Sequence, residues 1–444
     1  QPMNASPKDL LFITIDCLRP DGLGCYGGPA HTPHLDSLAA QGTRYRYAFA
    51  HGHFTKTAFA AIFSGAYPWQ FGDSQSFQPS RPNFVERLQS HGYVTLGVNS
   101  NPWLSHHFGY QRGYSVYRDL SSIKPAAHSF PVVAINNLLG LFGGGLIYPP
   151  YPDAKTVTDA ALEVLEEARS PFFVWLHYMD THWPYFLSRP RLFGPWDRQN
   201  WMYNARLAHK SREHPDRVNA RERQALKSRY LQAVEYIDEQ IGRLLTVIGR
   251  ETAILFTSDH GEAFGEHGSF FHQPALYMEN IHVPLVLYDP DVPRAQVEKS
   301  PVRHIDIAPT LLDIAGVPAP DNLEGISLLT VDRRSPKDLE AVSAVEFRQE
   351  RERLASLRKQ GWTLITRFRH DTLEVLNSEL YNHLEDPGET ENLAGEYPGL
   401  LTGLLARAIS LFKDSDERFS EMENEHLELD EELRNRLRWL GYLE

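Results

Sequence analysis

Leu10–Ile15 (LLFITI) is an unbroken apolar run rich in β-branched residues. That pattern predicts a strand buried on both faces, as in a parallel sheet. The run ends on Asp16. The same grammar recurs three times: Pro171–Leu176 (PFFVWL) runs into His177, Asp180 and His182, Ala253–Phe256 (AILF) into Asp259 and His260, and Tyr93–Val98 (YVTLGV) into Asn99 and Asn101. Open α/β sheets bind ligands at the carboxyl ends of their strands, so four such ends predict one shared site.

Helical periodicity fills the gaps. Thr32 is placed to cap a helix through His34–Gln41, Thr156–Ala168 is amphipathic, and Arg221–Gly249 is a long helical stretch. Alternating strands and helices predict a mostly parallel central sheet covered on both faces, a three-layer α/β/α class. Pro284–Tyr288 reads as the last parallel strand and Ile305–Gly316 as the helix after it. From about residue 335 the pattern changes. Ala341–Phe347, Trp362–Arg369 and Glu374–Leu380 read as short antiparallel strands, followed by a turn at Asp386-Pro387-Gly388 and a helix. Residues 1–334 are therefore expected to form a catalytic α/β domain, and 335–444 a small antiparallel subdomain and helix completing the same fold.

Composition narrows the partners. The 444 residues carry a net charge of −13, which argues against nucleic acid as a bulk partner. Hydrophobic residues at 42% and charged residues at 23% are ordinary soluble usage. Cys17 and Cys25 are the only cysteines, so no disulfide framework is implied and both are expected as free thiols. No secretory leader is visible before Leu10, which favours the cytoplasm, although a start at Gln1 leaves a removed leader open. The apolar stretch Pro131–Tyr148 is broken by Asn136, Asn137 and four glycines. It is expected to be a buried or substrate-covering helix and loop, with lipid contact as the lesser reading. The charged run Lys413–Glu432 reads as a solvated helix face.

Asp16 opens Asp16-Cys17-Leu18-Arg19-Pro20-Asp21, and Asp259-His260 sits in Thr257-Ser258-Asp259-His260-Gly261-Glu262. Carboxylates and an imidazole on rigid strand ends can hold a divalent ion with a position left open for substrate. Together the two segments resemble the metal-binding signatures of sulfatases and related hydrolases of the alkaline phosphatase superfamily. Between them, His53-Phe54-Thr55-Lys56-Thr57 through Ser64-Gly65-Ala66-Tyr67-Pro68 resembles the sulfatase nucleophile segment. That motif is Cys or Ser, any residue, Pro-Ser-Arg, then a helix ending in Thr-Gly, any residue, Tyr-Pro. Counting back ten positions from Gly65 puts Thr55 at the nucleophile, at a helix N-terminus suited to anions. The bland alternative for Thr55 is a helix cap.

Here the chain departs from the family pattern. Neither Cys nor Ser occupies position 55, and the Pro and Arg that follow are missing, so formylglycine is not expected. A threonine has one hydroxyl, and an adduct on it must be released by water attacking the central atom. That route is familiar at phosphorus and less favourable at sulfur, and it turns the expected reaction toward phosphate-type esters. Metal coordination lowers the pKa of such a hydroxyl and orients it.

The resemblance implies further roles. His177-Tyr-Met-Asp180-Thr-His182-Trp-Pro184-Tyr185 is similar to a third family segment whose His meets the substrate or leaving group. Asp180, His182 and His272 suit a second metal, with His182 and His272 also as catalytic groups, while His267 reads as a loop or supporting residue. Asn101 takes the place of the family's missing Lys-x-His segment, and Lys56 can supply a substrate cation. The metal set is then Asp16, Thr55, Asp259 and His260, with Asp180, His182 and His272 for a second ion. Zinc or manganese is favoured and calcium remains possible, since His260 replaces a common Asn and Cys17 a second Asp. The expected substrate is an anionic ester, small or linked to glycan or lipid, and the oligomeric state is left open. His304 to Gly316, Leu323 to Leu328 and Glu379 to Leu393 extend the resemblance over nearly the whole chain. Two other readings remain: a sulfatase working without formylglycine, and a catalytically inactive binding protein with this fold.

Overall fold

The computed structural model describes residues 7–71, 76–122, 151–183, 185, 206–207, 209–292, 296–321, 323–333, 340–347, 349–419, 431, 433–434 and 437. The stretch 131–148 and most of the charged run 413–432 lie outside them.

The strands are β1 Leu10–Ile15, β2 Thr43–Phe49, β3 Val94–Asn99, β4 Val116–Asp119, β5 Phe172–Tyr178, β6 Ala253–Ser258, β7 Ala263–Phe264, β8 Phe270–Phe271, β9 His282–Tyr288, β10 Gln296–Glu298 and β11 Val302–Arg303. The main sheet runs β10-β2-β9-β6-β1-β5-β3-β4, with β11 also on β2. Its centre, β6-β1-β5-β3-β4, is all parallel. β1 is buried at every position, as its continuous apolar run requires. One expectation needs correction. β9 is not a parallel strand, since it pairs antiparallel with both β6 and β2.

The described α-helices are α1 Pro33–Gln41, α2 Thr55–Ser64, α3 Phe84–Ser90, α4 Ala154–Glu166, α5 Ala220–Leu245, α6 Met278–Ile281, α7 Ile307–Ile314 and α8 Pro398–Phe419. α5 starts at a capping box in which Asn219 and Glu222 satisfy each other's backbone N–H groups. α4 starts at Asp153, whose carboxylate accepts from Thr156 N. Two separate apolar clusters cover the sheet: α2, α3 and α7 contribute to one, α1, α4 and α5 to the other. α2 docks through Phe59 and Phe63, whose rings lie 5.5 and 5.2 Å from that of Trp175 on β5. That packing sets where its first residue, Thr55, ends up.

A second sheet, β12 Glu340–Phe347, β13 Glu352–Lys359, β14 Trp362–Arg369 and β15 Val375–Asn382, is an antiparallel meander in chain order. β13 joins the three strands read from sequence. This sheet shares an apolar cluster with α8 and with Ala61, Tyr67 and Ile305 of the main body. Among the described residues, no helix is long and apolar enough to cross a membrane.

Candidate functional site

Four neighbouring strands deliver the site. The register sets Ile15 of β1 beside Ser258 of β6 and Tyr178 of β5, and Asn99 of β3 beside His177. Asp16, Asp259-His260, His177 and Asn101 therefore emerge at one level of the sheet edge, and all five are buried.

Thr55 is the first helical residue of α2, and the cap position falls to Phe54. The Thr55 hydroxyl does not cap the helix. Its Oγ1 lies 3.5 Å from Asp16 Oδ2 and 3.5 Å from His260 Nε2, with Asn101 Nδ2 at 3.4 Å. His260 Nε2 is also 3.5 Å from Asp259 Oδ2 and 3.8 Å from Asp16 Oδ1. Donors sharing a tetrahedral ion at 2.1 Å are about 3.4 Å apart, and donors on adjacent corners around a 2.4 Å ion are similarly spaced. These distances therefore fit one divalent ion without choosing which.

Hydrogen-bond accounting says the same. His260 Nδ1 lies 3.0 Å from Gly261 O, and a carbonyl only accepts, so Nδ1 carries the proton. A neutral ring would point its Nε2 lone pair at two carboxylates and a hydroxyl, and the carboxylates favour positive charge at that nitrogen. Asp259 Oδ1 is occupied by the N–H groups of Cys17 and His260, while its Oδ2 has no hydrogen bond. Lone pairs facing lone pairs in a buried space call for a cation between them. The residues present fit a metal.

The charge balance is visible in the titration directions. Burial would raise Asp16, but the His177 hydrogen bond and the fields of His182 and His260 hold it well below the carboxylate range. Burial and the neighbouring Asp16 push Asp259 up to about 6. Burial would lower His260, yet Asp259 and Asp16 raise it.

Around this set stands a second group. Cys17 Sγ lies 3.7 Å from His272 Nδ1 and 3.7 Å from His260 Nδ1, and it donates to Asp16 Oδ1 at 3.0 Å. The rings of His182 and His272 are 4.8 Å apart. Burial holds His182 near 4, and burial with the field of His260 holds His272 near 3, so both stay neutral. Glu262 Oε2 is 3.3 Å from His272 Nδ1, Tyr185 donates to Glu262 Oε1 at 2.5 Å, and burial pushes Glu262 up to about 7.

Asp180 departs from its expected place. Its Oδ1 accepts from Ala154 N, the first residue of α4, and it belongs to none of the metal-capable clusters among the described residues. Burial pushes it up to about 8. The turn after β5 sends Asp180 and His182, two residues apart, to different destinations. Lys56, next to Thr55, holds its ammonium 4.5 Å above the Trp103 ring. Asn101 sits inside the first set: its amide donates to Asp16 Oδ2 at 2.7 Å, while its oxygen accepts from Trp103 N.

Two further groups complete the site. His177 Nε2 is 3.3 Å from Asp16 Oδ2, and its Nδ1 is 2.9 Å from Thr14 Oγ1, which Trp175 Nε1 in turn donates to. In the sequence, Glu262 stands out only as the end of the Asp-His-Gly-Glu turn. The available signal was position: both lie at or just beyond the end of a central strand.

Known proteins match most of this chain. The sulfatase family model matches residues 8–317, and the model of the N-sulphoglucosamine sulphohydrolase C-terminal region matches residues 265–400. The uncharacterized sulfatase YidJ of Escherichia coli is 25% identical over 432 residues, spanning 87% of this chain and 82% of that protein. The N-acetylglucosamine-6-O-sulfatase of Bacteroides thetaiotaomicron is 24% identical, spanning 92% and 87%. Among solved structures, the phosphonate monoester hydrolase of Agrobacterium radiobacter superposes with a TM-score of 0.73 at 20% identity, covering 92% of this chain and 96% of that one.

Proposed function

The chain belongs to the sulfatase family, whose enzymes bind a divalent metal, and from that premise we propose that it hydrolyses a phosphate-type ester with Thr55 as nucleophile. The observation that carries the proposal is the Thr55 hydroxyl at 3.5 Å from both Asp16 and His260, at the head of α2. A metal held by Asp16, Asp259, His260 and Thr55 would lower the hydroxyl pKa and neutralise a nonbridging oxygen. The N-terminal N–H groups of α2 face the same anion. Thr55 Oγ1 attacks phosphorus, the bond to the leaving oxygen breaks, and a Thr55 ester remains. Water then attacks phosphorus, the bond to Oγ1 breaks, and the hydroxyl is restored.

Asn101 keeps Asp16 and Thr55 in register, and Lys56 offers a cation at the substrate side. His182 and His272 would stabilise the leaving oxygen by holding a second ion beside it. The imidazole ligand favours zinc or manganese over calcium. The substrate class is an anionic ester, small or carried on a glycan or lipid; the sulfated-glucosamine enzyme among the relatives supports the glycan form. We assign catalysis to residues 1–334, with 335–444 completing the fold.

The second reading is sulfate ester hydrolysis without formylglycine, favoured by the sulfatase names among the relatives. Metal-loaded wild type and Thr55→Ala assayed on aryl phosphate, aryl phosphodiester, phosphonate monoester and aryl sulfate decide between them. The proposal expects a phosphorus substrate to be preferred and Thr55→Ala to lose at least about 1000-fold in kcat. Preferred sulfate turnover supports the second reading, and full activity in Thr55→Ala removes the nucleophile. No turnover with any substrate supports a binding protein.

A further inference from the structure

We propose that the chain carries a second metal site built from Cys17, His182 and His272, a thiolate site selective for zinc-like ions. The inference deepens the hydrolase reading, because it states what His182 and His272 do beside the leaving oxygen. Ligand atoms of the three side chains all lie within 4.8 Å of one another. A sulfur at 2.3 Å and an imidazole nitrogen at 2.05 Å from one tetrahedral ion are about 3.6 Å apart. Cys17 Sγ and His272 Nδ1 are 3.7 Å apart.

The donors are also arranged for it. His182 Nδ1 bonds to Trp183 O, an obligate acceptor, so the ring turns its Nε2 lone pair to the site. Cys17 adopts φ 58°, a left-handed backbone that a residue with a Cβ adopts at a cost. That conformation is held from several sides: Cys17 N donates to Asp259 Oδ1, Tyr230 donates to Cys17 O at 3.0 Å, and Ser258 Oγ accepts from Leu18 N. A strained and over-determined residue at the end of β1 points its sulfur between two histidines and the first metal set. Two carboxyl groups border the three ligands, Asp16 Oδ1 at 3.0 Å from Cys17 Sγ and Glu262 Oε2 at 3.3 Å from His272 Nδ1.

Ion binding exchanges the Cys17 thiol proton, now donated to Asp16, for the metal, and the proton leaves to solvent. Cys17 thus takes the place that sequence reasoning gave to Asp180. A thiolate excludes magnesium and calcium and admits zinc or cobalt.

The test is cobalt loading of the full chain after chelation, read by ion count and by the thiolate-to-cobalt charge-transfer band. Wild type is expected to bind two ions and show the band. Cys17→Ser, which keeps Cys25, is expected to bind one ion and lose the band, and His272→Gln to bind one. Thr55→Ala is expected to keep the band. One ion without the band in wild type overturns the proposal, as does an unchanged count and band in Cys17→Ser. Turnover in Thr55→Ala with the band intact defeats the nucleophile reading alone. Thr55-dependent turnover without the band defeats this site alone.

Discussion

His177 makes no hydrogen bond to Thr55, yet the structure gives its removal a definite cost. Asp16 Oδ2 can only accept, so His177 Nε2 donates to it, and His177 Nδ1 lies 2.9 Å from the Thr14 hydroxyl. Trp175 Nε1 donates to Thr14, and the chain Trp175–Thr14–His177–Asp16 locks the carboxylate in place. His177→Phe removes the last link. A hydrogen bond to a buried charge is worth about 1.5–3 kcal/mol, which converts to roughly 10- to 150-fold. Loss of an outer partner of a metal ligand costs about 10- to 100-fold in metal affinity, which agrees. Thr14 can still donate to Leu176 O at 3.0 Å, so folding should suffer less than binding. The assay is metal titration of turnover across pH. His177→Phe is expected to need 10- to 100-fold more metal, with kcat largely recovered at saturation. Asp16 also loses a group that favours its ionised form, so the metal requirement should steepen as pH falls. His177→Gln, which returns an N–H near the Nε2 position, should recover most of both. Unchanged metal affinity and pH profile in His177→Phe would refute the reasoning.

Two further predictions separate roles that look alike in sequence. Asp180→Asn keeps an oxygen for the α4 N-terminus, so metal count and kcat/KM should stay within about twofold; loss of an ion would return Asp180 to the metal set. Both nitrogens of His267 are engaged, with Glu279 at 2.7 Å and Glu389 O at 2.9 Å, and its ring stacks on Tyr277 at 3.7 Å. Burial opposes its charge, but these partners push it up from 6.5 to about 9. The folded state therefore binds a proton that the unfolded chain releases. That stability is fully present below pH 6.5 and is lost as pH rises through 9. With solvent screening it amounts to about 1–2 kcal/mol. Chemical denaturation from pH 6 to 10 should show this loss in wild type and not in His267→Gln.

Much of the main sheet was legible because central parallel strands must be apolar on both faces, and LLFITI, PFFVWL and AILF carry that requirement openly. Strand direction was not legible: β9 is as apolar as its neighbours, and only the pairing shows that it runs antiparallel. β2 (TRYRYAF) and β13 (ERLASLRK) carry arginines at alternate or terminal positions, which hides them from a search for apolar runs. Asp16, Asp259 and His260 were readable because strand ends have fixed meaning in an α/β sheet. Asp180 and Cys17 were not, because their directions depend on a turn and on a positive φ that residue spacing does not encode.

The central claim is a covalent step on Thr55. Rapid acid quench during turnover of an aryl phosphate, aryl phosphodiester or phosphonate ester, followed by peptide mass spectrometry, tests it directly. The account predicts a phosphoryl or phosphonyl group on the peptide containing Thr55, absent from Thr55→Val. Turnover that proceeds undiminished in Thr55→Val, with no adduct in wild type, would contradict it.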